Sequence, residues 1–262
     1  MSVLDTIIAN KQNEVAIRKK KISMDDLRAY PLFNRSCVSL VDALHHATVG
    51  IIAEFKRKSP SQGWIHQYAG VEEVTRGYEN AGASGISILT DYTYFGGRTD
   101  DLLQARQAVQ IPILRKDFMI DAYQIYESKA MGADVILLIA AALTVDKTLE
   151  LARVAKSLSL EVLLEIHHAS ELEHINPYVD LVGVNNRNLE TFQVDTALSV
   201  DLAQHIPDGY IKISESGLSA AETVIQLRLS GYKGFLMGEY FMRNEHPAMA
   251  LSKFIAACRG ED

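Results

Sequence analysis

Residues 111–141 read IPILRKDFMIDAYQIYESKAMGADVILLIAA, and this stretch determines which fold the chain can adopt. Its first part, residues 111–118, is an apolar run that ends in charged residues and predicts a strand. Residues 121–132 have the apolar spacing of a helix, which ends at Gly132. Residues 134–141 form a second apolar run of strand length. A strand, a helix and another strand predict a βαβ unit with parallel strands.

The same unit recurs through most of the chain, from GIIAEFK at residue 50 to AMALSKFIAACRG near the end. About eight strand–helix units can be counted, and the first halves of the strands are apolar on both faces, as in a parallel sheet covered by helices. Eight units in 262 residues predict an α/β fold, the (β/α)8 TIM barrel. A doubly wound open sheet is the alternative, but no GxGxxG motif follows the first strand.

Three helical segments precede the first strand: a long one after Ser2, which could act as its N-cap, a short one after Ser23, and one within residues 38–49. We therefore expect a single domain over residues 1–262, with residues 1–48 as an N-terminal helical extension and residues 49–262 as the barrel.

Composition and charge restrict the partners that this chain could have. The net charge of −7 argues against sequence-independent binding of nucleic acid, which needs a basic surface. Cys37 and Cys258 are far apart, and no Cys/His cluster has metal-ligand spacing, so we expect no metal site. No signal peptide is recognisable, and the most apolar run, residues 134–143, is too short to span a bilayer. These features predict a cytoplasmic protein with no membrane partner, a monomer being the simplest assembly.

Polar side chains are concentrated where the predicted strands end. In a (β/α)8 barrel the carboxyl ends of the strands meet at one rim, where active sites form. Alternate residues of a strand share a face, so Glu54 and Lys56 should both point into the barrel. In a partly dry rim, charges could lower the pKa of a lysine and raise that of a glutamate, which suits general acid–base catalysis. The other polar strand ends are Lys58, Asp91, Lys116, Glu165, Asn185, Arg187, Glu215 and Glu239.

The ends of strands seven and eight suggest a phosphate site. Each places a glycine, Gly217 or Gly238, beside a helix start, where backbone N–H groups can bind phosphate, and EYFM could form the short extra helix. Ser59 and Ser61 could add hydroxyl donors. Apolar residues on the same rim would line a pocket for a flat aromatic ligand, and they are Phe95, Phe118, Leu137 and Leu189.

These motifs together resemble the indole-3-glycerol-phosphate synthase family of tryptophan biosynthesis, over almost the whole chain. The segments that carry the resemblance, in order along the chain, are IIAEFKRKSPSQG, ILTDYTYFGG, PILRKDFMIDAYQIYESKAMGADVILLI, LLEIH, VGVNNRNLETF, ISESGL and FLMGEYFMR. The resemblance implies ring closure, decarboxylation and dehydration of 1-(2-carboxyphenylamino)-1-deoxyribulose 5-phosphate, a phosphorylated aromatic substrate, with no cofactor or metal.

The resemblance also implies roles for individual residues. Lys116 matches the general acid of ring closure and Glu165 the general base of dehydration. Lys56 matches a lysine near the substrate carboxylate, an alternative proton donor in dehydration, and Glu54 the residue that orients it. Asn185 and Arg187 match a polar pair beside the substrate, and Glu215 and Ser216 match further pocket residues. Ser59, Gly217, Gly238 and Glu239 lie where the family binds phosphate, and Phe95, Phe118, Leu137 and Leu189 match the aromatic pocket.

Two points separate this chain from a simple copy of the family pattern. The segment after strand eight reads GEYF, whereas many members have a small residue there, so the Glu239 side chain should point away from a phosphate. Lys58 is interpreted as a rim residue with a weaker claim to the site.

Two alternative functions remain open. One is that of the isomerase that acts one step earlier in the same pathway, and the other is that of a non-catalytic barrel that binds a phosphorylated metabolite or a partner protein. An isomerase of this kind should lack the combination of a Glu-x-Lys motif on strand one, here Glu54 and Lys56, with a lysine at the position of Lys116. A non-catalytic barrel should lack at least one of the charged rim residues.

Overall fold

Eight parallel strands form a closed barrel in the computed structural model, which describes residues 2–189 and 191–261. Consecutive strands are neighbours, and the first strand also pairs with the last, with Gly50 opposite Gly234. The prediction of a (β/α)8 barrel is therefore confirmed, and the alternative prediction of a doubly wound open sheet is wrong. The strands are β1 Gly50–Phe55, β2 Gly85–Leu89, β3 Ile113–Lys116, β4 Val135–Ile139, β5 Glu161–Ile166, β6 Leu181–Asn185, β7 Ile211–Glu215 and β8 Tyr232–Met237.

A helix follows each strand, although the one after β5 is a 3₁₀-helix, Ala169–His174, where the sequence predicts an ordinary helix. The segment is short, as 3₁₀-helices usually are. The α-helices after the other seven strands are Val71–Asn80, Thr99–Ala108, Ala122–Ala130, Val145–Ser157, Ala197–Ala203, Ala221–Leu229 and Pro247–Arg259. Among the described residues, no helix is long and apolar enough to cross a bilayer.

Short elements lie between strand ends and the following helices, and so contribute to the rim. The predicted extra helix is present at Glu239–Met242. The sequence did not predict the other rim elements, which are the antiparallel pair Lys58–Ser59 and Gly63–Trp64, the helix Tyr92–Phe95 and the 3₁₀-helix Ala140–Ala142.

The extension contains the helices Val3–Lys21, Met24–Arg28 and Leu40–His46. The Ser2 hydroxyl accepts a hydrogen bond from the backbone N–H of Asp5, which confirms the predicted N-cap. The third helix closes the amino end of the barrel. A Cβ atom on Gly50 would lie 2.8 Å from Leu44 and one on Gly85 2.7 Å from Leu40, so glycine at these strand starts makes room for the helix.

Alternation along each strand separates two apolar cores. Ile52 packs inside the barrel with Leu114 and Leu163, whereas Ile51 and Phe55 belong to the layer between strands and helices. Because side chains two apart share a face, the residues that follow these interior positions also point inward at the carboxyl end. The sequence thus places polar groups on top of an apolar barrel interior.

A buried ion cluster attaches the first helix to the barrel. Lys11 is 1% exposed, and its ammonium lies 2.8 Å from Asp91 and 2.9 Å from Asp117. Asp117 also pairs with Arg115, which is fully buried and contacts Glu127 as well. Burial opposes the charge on Lys11, but Asp117 and Asp91 outweigh it and raise its pKa. The helix is therefore held by charges that water reaches poorly.

Replacing Lys11 by methionine should lower the free energy of unfolding by about 3 kcal/mol, because buried carboxylates lose a partner while side-chain volume is kept. Urea denaturation would measure this loss. Lys19→Met is the matched control on the same helix, since Lys19 is 44% exposed in its pair with Asp121 and should contribute less than about 1 kcal/mol. Equal losses in the two variants would contradict a structural role for the buried cluster.

Candidate active site

All residues predicted for catalysis, substrate binding or phosphate binding line one cavity of about 650 Å³ at the carboxyl ends of the strands. A cavity of this size is typical of sites for small molecules. Lys58 is not among the lining residues; its ammonium donates to the Thr93 carbonyl, in agreement with a rim position. The structure therefore brings the predicted residues together, while their individual roles stay predictions.

Lys116, at the end of β3, forms the centre of the charged floor. Its ammonium donates to Glu165 from β5 at 2.5 Å and to Glu215 from β7 at 2.9 Å. Both carboxylates are almost fully buried. Gly183 of β6 makes room for this arrangement, because a Cβ atom there would lie 2.4 Å from a carboxylate oxygen of Glu215. One ammonium thus lies between two carboxylates that face the same cavity.

The two carboxylates differ in their protonation. Burial would raise the pKa of Glu165, but Lys116 and His167 hold it well below its usual range. For Glu215, burial and the charge on Glu165 outweigh the attraction of Lys116 and raise the pKa to about 7. At neutral pH the cavity therefore contains one carboxylate that is firmly ionised beside another that can hold a proton.

The prediction that the rim lowers the pKa of a lysine is wrong for Lys116. Burial does oppose its charge, but the carboxylates of Glu165, Glu215 and Glu54 outweigh burial and raise its pKa. The reason is the excess of acidic over basic groups around this one nitrogen. Lys116 therefore carries its proton throughout the neutral range.

Glu54 and Lys56 form a second pair on the inner face of the barrel, as alternation predicts. The Lys56 ammonium lies 2.8 Å from Glu54, and the Ser87 hydroxyl donates to the other carboxylate oxygen at 3.4 Å. Gly238 packs directly on Glu54, because a Cβ atom there would lie 2.7 Å from the carboxylate. Glu54 is thus fixed on two sides and holds the lysine above it.

Asn185, at the end of β6, connects the charged floor to the loop that follows. Its side-chain amide donates to Glu165 at 3.1 Å, and its side-chain oxygen accepts from the backbone N–H of Arg187 at 3.0 Å. The Arg187 guanidinium donates to the carbonyl of Phe192 at 3.2 Å and lies 3.7 Å from Glu239. The loop after β6 is thereby folded back over the cavity.

The residues predicted to bind phosphate also line the cavity. Ser216 and Gly217 are consecutive residues with positive φ, 67° and 74°, a conformation that is uncommon for serine. The Glu239 carboxylate lies 2.7 Å from Arg243, whose side chain also lines the cavity. Glu239 thus pairs with Arg187 and Arg243. This arrangement agrees with the expectation that its side chain does not serve as a phosphate ligand.

Apolar side chains form part of the cavity wall. The rings of Phe95 and Phe118 lie 6.2 Å apart between centroids, and Leu137 and Leu189 complete the predicted set. The first helix also reaches this wall through Val3, Leu4 and Ile7. A flat ring can therefore pack between apolar side chains while its polar substituents face the lysines.

A family model for indole-3-glycerol phosphate synthase matches residues 4–254 of the chain. The chain belongs to the indole-3-glycerol phosphate synthase family.

Curated members of the indole-3-glycerol phosphate synthase family are similar over nearly their whole length. The protein of that name from Bacteroides thetaiotaomicron is 49% identical, over 97% of this chain and 98% of its own. That from Polynucleobacter asymbioticus is 40% identical, over 97% and 99%. That from Kineococcus radiotolerans is 39% identical, over 98% and 96%.

Solved structures with little sequence similarity share the barrel. A 3-hexulose-6-phosphate synthase from Salmonella typhimurium has a TM-score of 0.65 at 11% identity, over 82% of this chain and all of that one. A mutant tryptophan synthase α-subunit from Pyrococcus furiosus has a TM-score of 0.57 at 16% identity, over 80% and 98%. At such identities the likeness describes the fold alone.

Several residues of this family member's site were not predicted. The apolar residues Val3, Leu4 and Ile7 at the start of the first helix could have indicated a contact with the barrel, since the apolar face of a helix needs a partner. Gly183 interrupts an apolar strand, and glycine in a strand often marks a close approach. His167 gave no signal beyond its place after β5. Within residues 2–189 and 191–261, no group of three or more His, Cys, Asp or Glu side chains is arranged to hold a metal ion.

Proposed function

We propose that this chain converts 1-(2-carboxyphenylamino)-1-deoxyribulose 5-phosphate into indole-3-glycerol phosphate, CO2 and water. The observation that carries the proposal is the Lys116 ammonium between Glu165 and Glu215, beside an apolar wall that accepts an aromatic ring. A proton donor and an ionised base within one cavity are what ring closure and dehydration require.

In the first step, the ring carbon that bears the carboxylate forms a bond to the ketone carbon of the sugar chain. Lys116 gives a proton to the ketone oxygen, which becomes a hydroxyl group. A fixed cation at this point stabilises the negative charge that develops on the oxygen. The bond to the carboxylate then breaks, CO2 leaves, and its electron pair restores the aromatic ring.

The second step removes water from the ring-closed product. Glu165, which is ionised, takes a proton from the carbon beside the nitrogen, and the new hydroxyl group leaves with a proton from a lysine. Lys56 is the candidate donor, because it lines the same cavity and is held there by Glu54 at 2.8 Å. Lys116 is the alternative donor, once it has taken up a proton from solvent to replace the one given to the ketone oxygen.

The remaining residues bind and orient the substrate. Phe95, Phe118, Leu137 and Leu189 would hold the aromatic ring, and Lys56 would attract its carboxylate. Asn185 lies beside Glu165 and Arg187 lines the cavity, so both can orient the sugar hydroxyl groups. The phosphate would be bound by Ser59, Ser216, Gly217, Gly238 and the backbone of Glu239, with backbone N–H groups as donors.

Purified protein should form a fluorescent indole product from the carboxyphenylamino-deoxyribulose phosphate in buffer that contains a metal chelator. No metal or cofactor enters the steps proposed above, so the chelator should not change the rate. Fluorescence and CO2 release would be followed together. Lack of product at high enzyme concentration would contradict the proposal, and loss of activity with chelator alone would show that a metal is needed.

We also propose that the enzyme acts in the cytoplasm as a monomer. All residues proposed for the site come from one chain, so no second copy is needed to complete it. Cys37 and Cys258 are free thiols, which agrees with a reducing compartment.

A further inference from the structure

His167 is buried beside the proposed base but outside the cavity. It follows β5 directly, two residues after Glu165, so both side chains lie on the same face of the extended chain. The imidazole is 4% exposed and does not line the cavity. Its Nε2 atom lies 3.3 Å from the Glu165 carboxylate. His167 therefore touches the proposed base from the side that the substrate cannot reach.

A second carboxylate lies on the other side of the ring. Glu171, from the 3₁₀-helix after β5, is 3.7 Å from Nδ1, and it also accepts a hydrogen bond from the backbone N–H of His167. Among the described residues, neither ring nitrogen has a well-aligned hydrogen bond. A neutral imidazole would thus be buried without adequate partners, whereas a charged one lies between two opposite charges.

The charges around this ring favour its protonated form. Burial opposes the charge, but the carboxylates of Glu165 and Glu171 outweigh it and raise the pKa of His167 to about 9. Lys116 from β3 and Glu215 from β7 act on the Glu165 carboxylate itself. Glu165 thus has a cation on either side, one inside the cavity and one behind it.

We propose that His167 is a positioning residue that holds the Glu165 carboxylate, as an imidazolium fixed by Glu171, throughout the catalytic cycle. The inference rests on the proposed function. Lys116 loses its charge when it gives its proton to the ketone oxygen, and Glu165 then loses its main stabilising partner. His167 keeps the carboxylate ionised and in place, so that the base is ready for the dehydration that follows.

The pH profile of turnover tests this role. Turnover requires ionised Glu165 and therefore falls in acid. His167→Gln removes the cation, which raises the pKa of Glu165, so the acidic limb of the kcat profile should move to higher pH by about one unit or more. KM should stay within about twofold, because His167 does not line the cavity. His168→Gln is the matched control, since His168 is the next residue and is exposed, and its profile should not move.

Nuclear magnetic resonance of the histidine rings gives a second test that does not depend on activity, and its main measurement uses the unsubstituted protein. The His167 ring should remain protonated at neutral pH and titrate near pH 9, and Glu171→Gln should lower its pKa. A neutral His167 ring at pH 7 would overturn the proposal, as would a His167→Gln profile equal to that of the unsubstituted enzyme. If the protein makes no indole product, the proposed function fails, while the ring titration still decides whether His167 is an imidazolium.

Discussion

Replacing Lys116 by alanine should lower turnover by about 10²- to 10⁴-fold, the usual range for the loss of a general acid. The variant loses both the proton for the ketone oxygen and the cation that stabilises charge on it. Because ring and phosphate contacts remain, KM should change much less than kcat. Indole fluorescence under steady-state conditions measures both values.

The fold should survive this substitution despite the burial of two carboxylates. Without Lys116, Glu165 and Glu215 can share a proton, since burial already raises the pKa of Glu215 to about 7. Circular dichroism should therefore show an intact barrel. Lys58→Ala is the matched control, because this lysine lies outside the cavity and donates to the Thr93 carbonyl. Near-normal turnover in Lys116→Ala would mean that another group is the acid.

The barrel and its charged floor could be predicted from the sequence because both depend on local patterns. Strand and helix periods specify the βαβ units, and the alternation in β1 and β3 places Glu54 and Lys116 inside. Because the strands are parallel and form a closed barrel, their carboxyl ends then meet at one rim, and no knowledge of individual side-chain contacts is needed to predict this. The resemblance to the family added roles, which no pattern of spacing could supply.

Contacts between distant segments could not be predicted in this way. Lys11 meets Asp91 and Asp117 across 80 and 106 positions of the chain, and nothing around any of the three residues signals that pairing. Val3 and Ile7 line the cavity from the same helix that this ion cluster attaches to the barrel. Whether the pKa of Lys116 is raised or lowered also could not be predicted from local sequence, since it depends on carboxylates from β1, β5 and β7.

The role of His167 could not be predicted from the sequence for a different reason. Its sequence context, a histidine directly after an apolar strand, is the same for a buried structural residue and for a partner of the base. Only the position of the Glu171 carboxylate behind the ring distinguishes the two, and that position depends on the 3₁₀-helix that replaces the predicted α-helix after β5.

Glu165→Gln should separate the two halves of the reaction. Glutamine keeps the shape of the side chain but cannot take a proton, so dehydration should slow by about 10²- to 10⁴-fold. Ring closure depends on Lys116, which retains Glu215 as a partner, and should slow much less. In a single turnover, CO2 should therefore appear well before indole fluorescence, and a ring-closed hydroxy intermediate should accumulate between them.

The delay between the two signals is the decisive quantity, because a general loss of folding or binding would slow both together. Glu173→Gln provides the matched control: this glutamate lies in the 3₁₀-helix after the same strand but is exposed, and its variant should show no delay. If CO2 and indole appear at the same rate in Glu165→Gln, Glu165 is not the base of dehydration. Glu215, whose pKa of about 7 allows it to accept a proton from the same side of the cavity, would then be the first residue to test.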